Sequence, residues 1–115
     1  MKVPPYDRLK DILEAIAQIE KYTEGGRQVF DQNELIQIWM VHYVQIIGEA
    51  VRALDPAFRN QHPQVPWRDI AGMRNILVHD YGKVNLNVVW EVAATHLPKL
   101  KQEIEIILAQ MPSEN

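Results

Sequence analysis

The stretch Leu35–Leu54, LIQIWMVHYVQIIGEAVRAL, is the longest apolar-rich run of the chain, and its reading decides the fold. Leu35, Ile38, Trp39, His42, Tyr43, Ile46, Ala50 and Leu54 recur at three- and four-residue steps, the spacing of one helix face. Ile36, Met40, Ile47 and Val51 widen that face well past a single stripe, which predicts a helix buried on two sides. A membrane span is excluded, because Gln37, His42, Gln45, Glu49 and Arg52 interrupt the run. Such a helix needs other helices to cover it.

The flanking sequence supplies them. Leu9, Ile12, Leu13, Ile16 and Ile19 follow helical steps after Pro4-Pro5, and Gly25 and Gly26 stop that helix near TEGG. The long helix opens at DQNE, where Asp31 reads as the N-cap and Glu34 as its capping-box partner. After it, LDPAFRNQHPQVPW reads as a loop with one short helical turn, and a third helix runs from near Pro66 to Gly82. The last segment repeats at Leu86, Val89, Ala93, Leu97, Leu100, Ile104, Ile107 and Met111. That register continues across Pro98, so the proline kinks one helix or joins two stacked ones. No strand pattern competes. The expectation is all-α: an antiparallel bundle of four to five helices, with residues 1–115 forming one domain.

Composition narrows the function classes. At 115 residues the chain suits one hydrophobic core. The absence of cysteine excludes disulfides and thiol chemistry and suits a reducing cytoplasm. No apolar run follows the lysine of MKVPPYDRLK, so export is not expected. A net charge of −3 argues against a surface that coats nucleic acid broadly. One region is nonetheless basic: Arg52, Arg59, Arg68, Arg74 and Lys83 stand against Asp55, Asp69 and Asp80.

The third helix carries the unusual residues. On an intact helix, Trp67, Ile70, Ala71, Leu77, Val78 and Tyr81 form one apolar stripe with Arg74 near its centre. A guanidinium there must find a carboxylate such as Glu49, reach solvent along its stem, or line an anion site. Arg68, Gly72, Asn75 and His79 form a second stripe. A mid-helix glycine costs about 1 kcal/mol relative to alanine, so Gly72 predicts the close approach of another backbone, where a twofold axis could run. Arg74 and His79 are separated by about 140° and roughly 7.5 Å on that helix, so they do not converge within one protomer.

The other candidates read as structural. His42, on the long apolar stripe, is expected in the core, and His62 in solvent. Trp39, Trp67 and Trp90 fit core or interface anchors rather than base-stacking platforms. No two histidines have the spacing of a helical metal site and no carboxylate cluster compensates, so neither metal nor cofactor is expected.

RNILVHDY, Arg74–Tyr81, resembles the arginine, four residues, histidine, one residue, tyrosine signature of HEPN-domain proteins, in particular the HepT toxins. PWRDIAGMRN before it, NLNVVWEV after it and LPKLKQEIEIIL beyond also look like that family, so the resemblance spans essentially the whole chain. It implies a metal-independent ribonuclease toxin of a type VII HEPN/MNT toxin–antitoxin system. The site would be composed at a homodimer interface, with Arg74 and His79 as the active pair, Asn75 as a polar helper, and Glu49, Arg68 and Gly72 as possible support. The substrate class would be transfer or messenger RNA. Tyr81 would receive AMP from a partner nucleotidyltransferase of the MNT class, the antitoxin. The alternative is a non-catalytic helical module that binds such a nucleotidyltransferase.

Overall fold

A computed structural model describes residues 4–79 and 83–111, with the side chains of Val78 and His79 outside the description. Among the described residues the chain is all-α apart from one two-residue ladder. Helix α1 spans Pro5–Thr23, with proline at its first position and Asp7 in its first turn, where the helix dipole favours an acid. Leu9, Ile12, Ala15, Ile16 and Ile19 line its buried face.

The chain reverses at Gly26, whose φ of 84° lies in the left-handed region that favours glycine. A short helix the periodicity does not reveal follows at once: α2, Gly26–Asp31. It changes how the long helix α3, Glu34–Arg52, begins. Asp31 belongs to α2, where it accepts from Arg27 Nε at 2.9 Å, so it is not the N-cap. Asn33 takes that role: its backbone is extended and its side chain accepts from the Ile36 N–H at 3.2 Å. Gln37 then donates to the carbonyls of Phe30 and Asp31, satisfying the end of α2.

Helix α3 is the spine. Ile36, Met40, Val44, Ile47 and Val51 are buried, and Trp39, Val41, Tyr43 and Ile46 are half-buried. Burial on two sides is therefore incomplete: Leu35 and Ile38 remain 78% and 57% exposed. His42 is exposed too, stacked edge-on against Tyr43 at 4.9 Å, not in the core. Trp39 donates to the Gln18 carbonyl at 2.8 Å and packs between Tyr22 and Tyr43.

Asp55 caps the short α4, Pro56–Asn60, the helical turn anticipated in the proline-rich stretch. Next come α5, Trp67–Ala71, and α6, Met73–Leu77, so the expected third helix is two pieces split at Gly72. It ends at Leu77, not Gly82, a residue outside the described set. Strand β1, Val78–His79, then pairs antiparallel with β2, Lys83–Val84, in the register Val78↔Val84 and His79↔Lys83.

Asn85 caps α7, Leu86–Glu91, and the run continues through a π-helical turn, Val92–His96, into α8, Leu97–Gln110. Pro98 lies in the first turn of α8. It has no N–H to give and its ring crowds the preceding turn, so the wider π turn absorbs it without breaking the run. The core joins α1, α2, α3, α5, α6, α7 and α8, with Phe30, Leu77, Leu97 and Ile104 among its most deeply buried side chains. Among the described residues no polar or charged residue is buried.

Candidate functional site

The geometry around the arginine–histidine motif starts at Gly72. Its backbone, at φ −92° and ψ 2°, closes α5 by donating to the Arg68 carbonyl at 3.1 Å. The break leaves carbonyls of α5 without helical partners, and Arg52 from the end of α3 donates through Nη2 to the Ala71 oxygen. Gly48 brings α3 close enough for this: a Cβ there would stand 3.2 Å from the same oxygen. The close backbone approach anticipated at Gly72 is thus made at Gly48. Within the protomer a Cβ at Gly72 would meet only the Arg68 carbonyl of its own helix, at 3.6 Å.

The break also resets the helical phase. Met73 and Leu77, four residues apart, are the buried positions of α6, and they turn Arg74, Asn75 and Ile76 outward. Arg74 is exposed, not centred in an apolar stripe, because that stripe assumed an unbroken helix from Trp67 to Tyr81. Its charge therefore needs no partner inside the protomer. Glu49 is exposed and accepts from Gln45 at 3.3 Å; it forms no ion pair with Arg74. Arg68 is exposed, and the proposed stripe of Arg68, Gly72, Asn75 and His79 is not continuous on one helix.

Two residues after Leu77 the backbone of His79 is held in the ladder opposite Lys83. The ladder is anchored at its base, where the Asn85 N–H donates to the Leu77 carbonyl at 2.7 Å and the Asn85 side chain accepts from the Val88 N–H at 3.3 Å. Leu77 and Val89, on either side of this anchor, are fully buried. Arg74 and Asn75 are thereby presented on the short helix α6 directly ahead of the strand carrying His79. Tyr81 lies outside the described residues.

The basic region of the sequence is a surface feature: Arg52, Arg68, Arg74 and Lys83 are exposed and Arg59 is half-buried. Trp67 is a core residue whose Nε1 donates to the His62 carbonyl at 3.0 Å, and Trp90 packs on Phe30 at 5.4 Å. His62 is half-buried, with its ring 4.7 Å from that of Phe58. Among the described residues no group of three or more His, Cys, Asp or Glu could hold a metal ion, and no helix is long and apolar enough to cross a membrane. The hairpin, the phase reset and the Gly48 contact escape sequence reasoning, which carries a helix through a single interior glycine. The adjacent Trp-Arg-Asp and Gly-Met run gives no distinct signal for the break.

Comparison with known proteins gives the site its context. Residues 12–107 match the family described as Ribonuclease HepT-like. "Putative RNase MJ1380" of Methanocaldococcus jannaschii is 36% identical over 100 residues, covering 86% of this chain and 92% of its own length. "Probable ribonuclease HepT" of Thermococcus cleftensis is 37% identical over 106 residues, covering 91% of this chain and 96% of its own. "mRNA nuclease HepT" of Shewanella oneidensis shares 42% identity over a shorter stretch of 43 residues, 37% of this chain and 32% of its own. No solved structure matches the chain at a significant level. With a family match over most of its length and relatives this similar, the chain belongs to the HepT-like ribonuclease family.

Proposed function

We propose that the chain is a metal-independent endoribonuclease, the toxin of a type VII HEPN/MNT pair, with its catalytic cleft composed between two copies. The observation that carries this reading is the outward presentation of Arg74 and Asn75 on α6, immediately before the anchored strand that holds His79, in a member of this ribonuclease family.

The chemistry assigns a role to each group. The ribose 2′-OH attacks the adjacent phosphorus, forming the P–O2′ bond as the P–O5′ bond breaks. The 2′ proton passes to one imidazole, and a second, protonated imidazole gives its proton to the leaving 5′ oxygen. One protomer has one motif histidine; two protomers around an axis supply both. Arg74, exposed and without a carboxylate partner among the described residues, is available to meet the negative charge that grows on the phosphoryl oxygens. Asn75 on the same turn would orient the phosphate by hydrogen bonding, and Arg68 and Lys83 would extend the positive field along the strand of RNA. Gly72 supports the site through the helix break, whereas Glu49 is exposed and accepts from Gln45.

Tyr81 would be the control point. Transfer of AMP to its phenol by a partner nucleotidyltransferase adds bulk and negative charge two residues from His79, and repels the phosphate the cleft must hold. The test is cleavage of transfer and messenger RNA by the purified chain in the presence of a chelator. The unmodified chain should cleave and His79→Ala should not, while remaining folded. A chain inactive at every dose that still captures a nucleotidyltransferase would instead be a binding module.

A further inference from the structure

We propose that the groove between α5–α6 and the run from α7 to α8 binds an elongated aliphatic amine, cationic at both ends and apolar between. The groove measures about 480 Å³, within the size range of small-molecule sites. One wall brings Ile70, Met73 and Ile76, and the other brings Val92, Leu97 and Leu100. All but Ile76 are buried in the core and show the groove only an edge; Ile76, 57% exposed, stands open beside them. The π-helical turn Val92–His96 lies in the second wall, and such turns recur at functional sites.

The rim is acidic, and its spacing identifies the occupant. Asp69 stands on α5, Glu91 at the end of α7 and Glu103 on α8, with Lys99 the one ammonium beside them. Glu91 lies 3.7 Å from the His96 imidazole, while Asp69 and Glu103 form no ion pair among the described residues. Glu91 and Glu103 are on the order of 18 Å apart along a helical run, so the carboxylates are spread, not gathered. Among the described residues no cluster could hold a metal ion. A compact cation would meet one carboxylate and leave the apolar floor wet, and an anion would be repelled. A chain with an ammonium at each end reaches two carboxylates while its methylenes cover the floor.

The groove is separate from the motif face. Arg74 and Asn75 take no part in its lining, whereas Met73 and Ile76 of the same helix do. An occupant therefore braces the helix that carries Arg74. Its binding is independent of the ribonuclease reading above.

Titration calorimetry on the full chain tests the assignment, with dodecanediamine as the probe and circular dichroism to check that variants fold. Dodecanediamine should bind one to one and roughly tenfold or more tighter than hexanediamine, because a longer chain buries more methylenes. Dodecanedioate, with the same chain and opposite charge, should not bind. The double variant Asp69→Asn with Glu103→Gln should weaken the diamine roughly tenfold. Ile76→Ser, at an exposed position, should weaken it about threefold or more. Glu105→Gln, on α8 but outside the groove, should change it by less than about twofold. Bound diamine should also slow hydrogen exchange of the α6 amides, measured without RNA because amines themselves bind phosphate.

Absence of binding overturns the proposal, as do equal affinities for the two diamines or for the dioate. An equal loss with Glu105→Gln shows only a diffuse acidic field, and unchanged α6 exchange at saturation places the amine elsewhere; either overturns it. So does a basic amphipathic peptide that binds where the diamine does not, or a groove that takes the diamine only on dilution, which means that a second copy covers it.

Discussion

A methyl group on Gly48 would stand 3.2 Å from the carbonyl oxygen of Ala71, so α3 and α5 meet through backbone. The oxygen it would crowd is the one that Arg52 holds at the helix break. This contact fixes where α5 ends and where α6, with Arg74, begins. Gly48→Val should therefore destabilise the fold by about 1–3 kcal/mol, since neither backbone can move away freely. Thermal unfolding should show the midpoint lowered by roughly 4–8 °C per kcal/mol.

The start of α3 gives a second test. Asn33→Ala removes the acceptor of the Ile36 N–H and should cost about 1 kcal/mol. Asp31→Ala removes only an exposed pair with Arg27 and should cost roughly 0.3–0.5 kcal/mol or less. Urea denaturation of the two variants distinguishes them; equal losses would mean that Asp31 also supports the helix start.

The pattern of what was legible in the sequence has a physical explanation. Helical periodicity located α1, α3 and the run from Leu86, because their buried faces keep one phase over many turns. It misplaced Arg74, because Gly72 resets the phase between Trp67 and Leu77 and a helical wheel carries no record of a break. It reads Asp31 as the cap, because periodicity does not reveal the short helix after Gly26 to which Asp31 belongs. It assigned the close approach to Gly72 when the helix that packs there offers Gly48. His42, Leu35 and Ile38 fit an apolar stripe by spacing, yet that part of the stripe lies exposed. The candidate catalytic residues came from the resemblance of RNILVHDY, which periodicity alone could not have supplied.

Exposure separates function from stability at Arg74. Because its side chain lies on the surface of α6 with no carboxylate partner among the described residues, Arg74→Ala should leave the stability within about 0.5 kcal/mol of the unmodified chain. RNA cleavage should fall by roughly 10²–10³-fold, the usual cost of removing one group that stabilises developing charge. Arg74→Lys should recover only part of that loss, because a point charge does not reproduce the planar fork. Parallel melting and single-turnover cleavage assays check both halves.

Modification of Tyr81 is read by mass. Co-expression with a partner nucleotidyltransferase should add the mass of AMP to the peptide containing Tyr81 and abolish cleavage. Tyr81→Phe should remain unmodified and active beside the same partner. An AMP adduct on Tyr6, Tyr22 or Tyr43 in its place would contradict the assignment.

The central claim, that one cleft draws a histidine from each of two copies, is tested most directly by mixing. His79→Ala protomers, exchanged in equal amount into the unmodified chain, should leave about a quarter of the RNA-cleaving activity, because only dimers with two intact histidines work. Activity of about half, falling in direct proportion to the fraction of unmodified protomers, would show that each protomer cleaves on its own and would contradict the composite site.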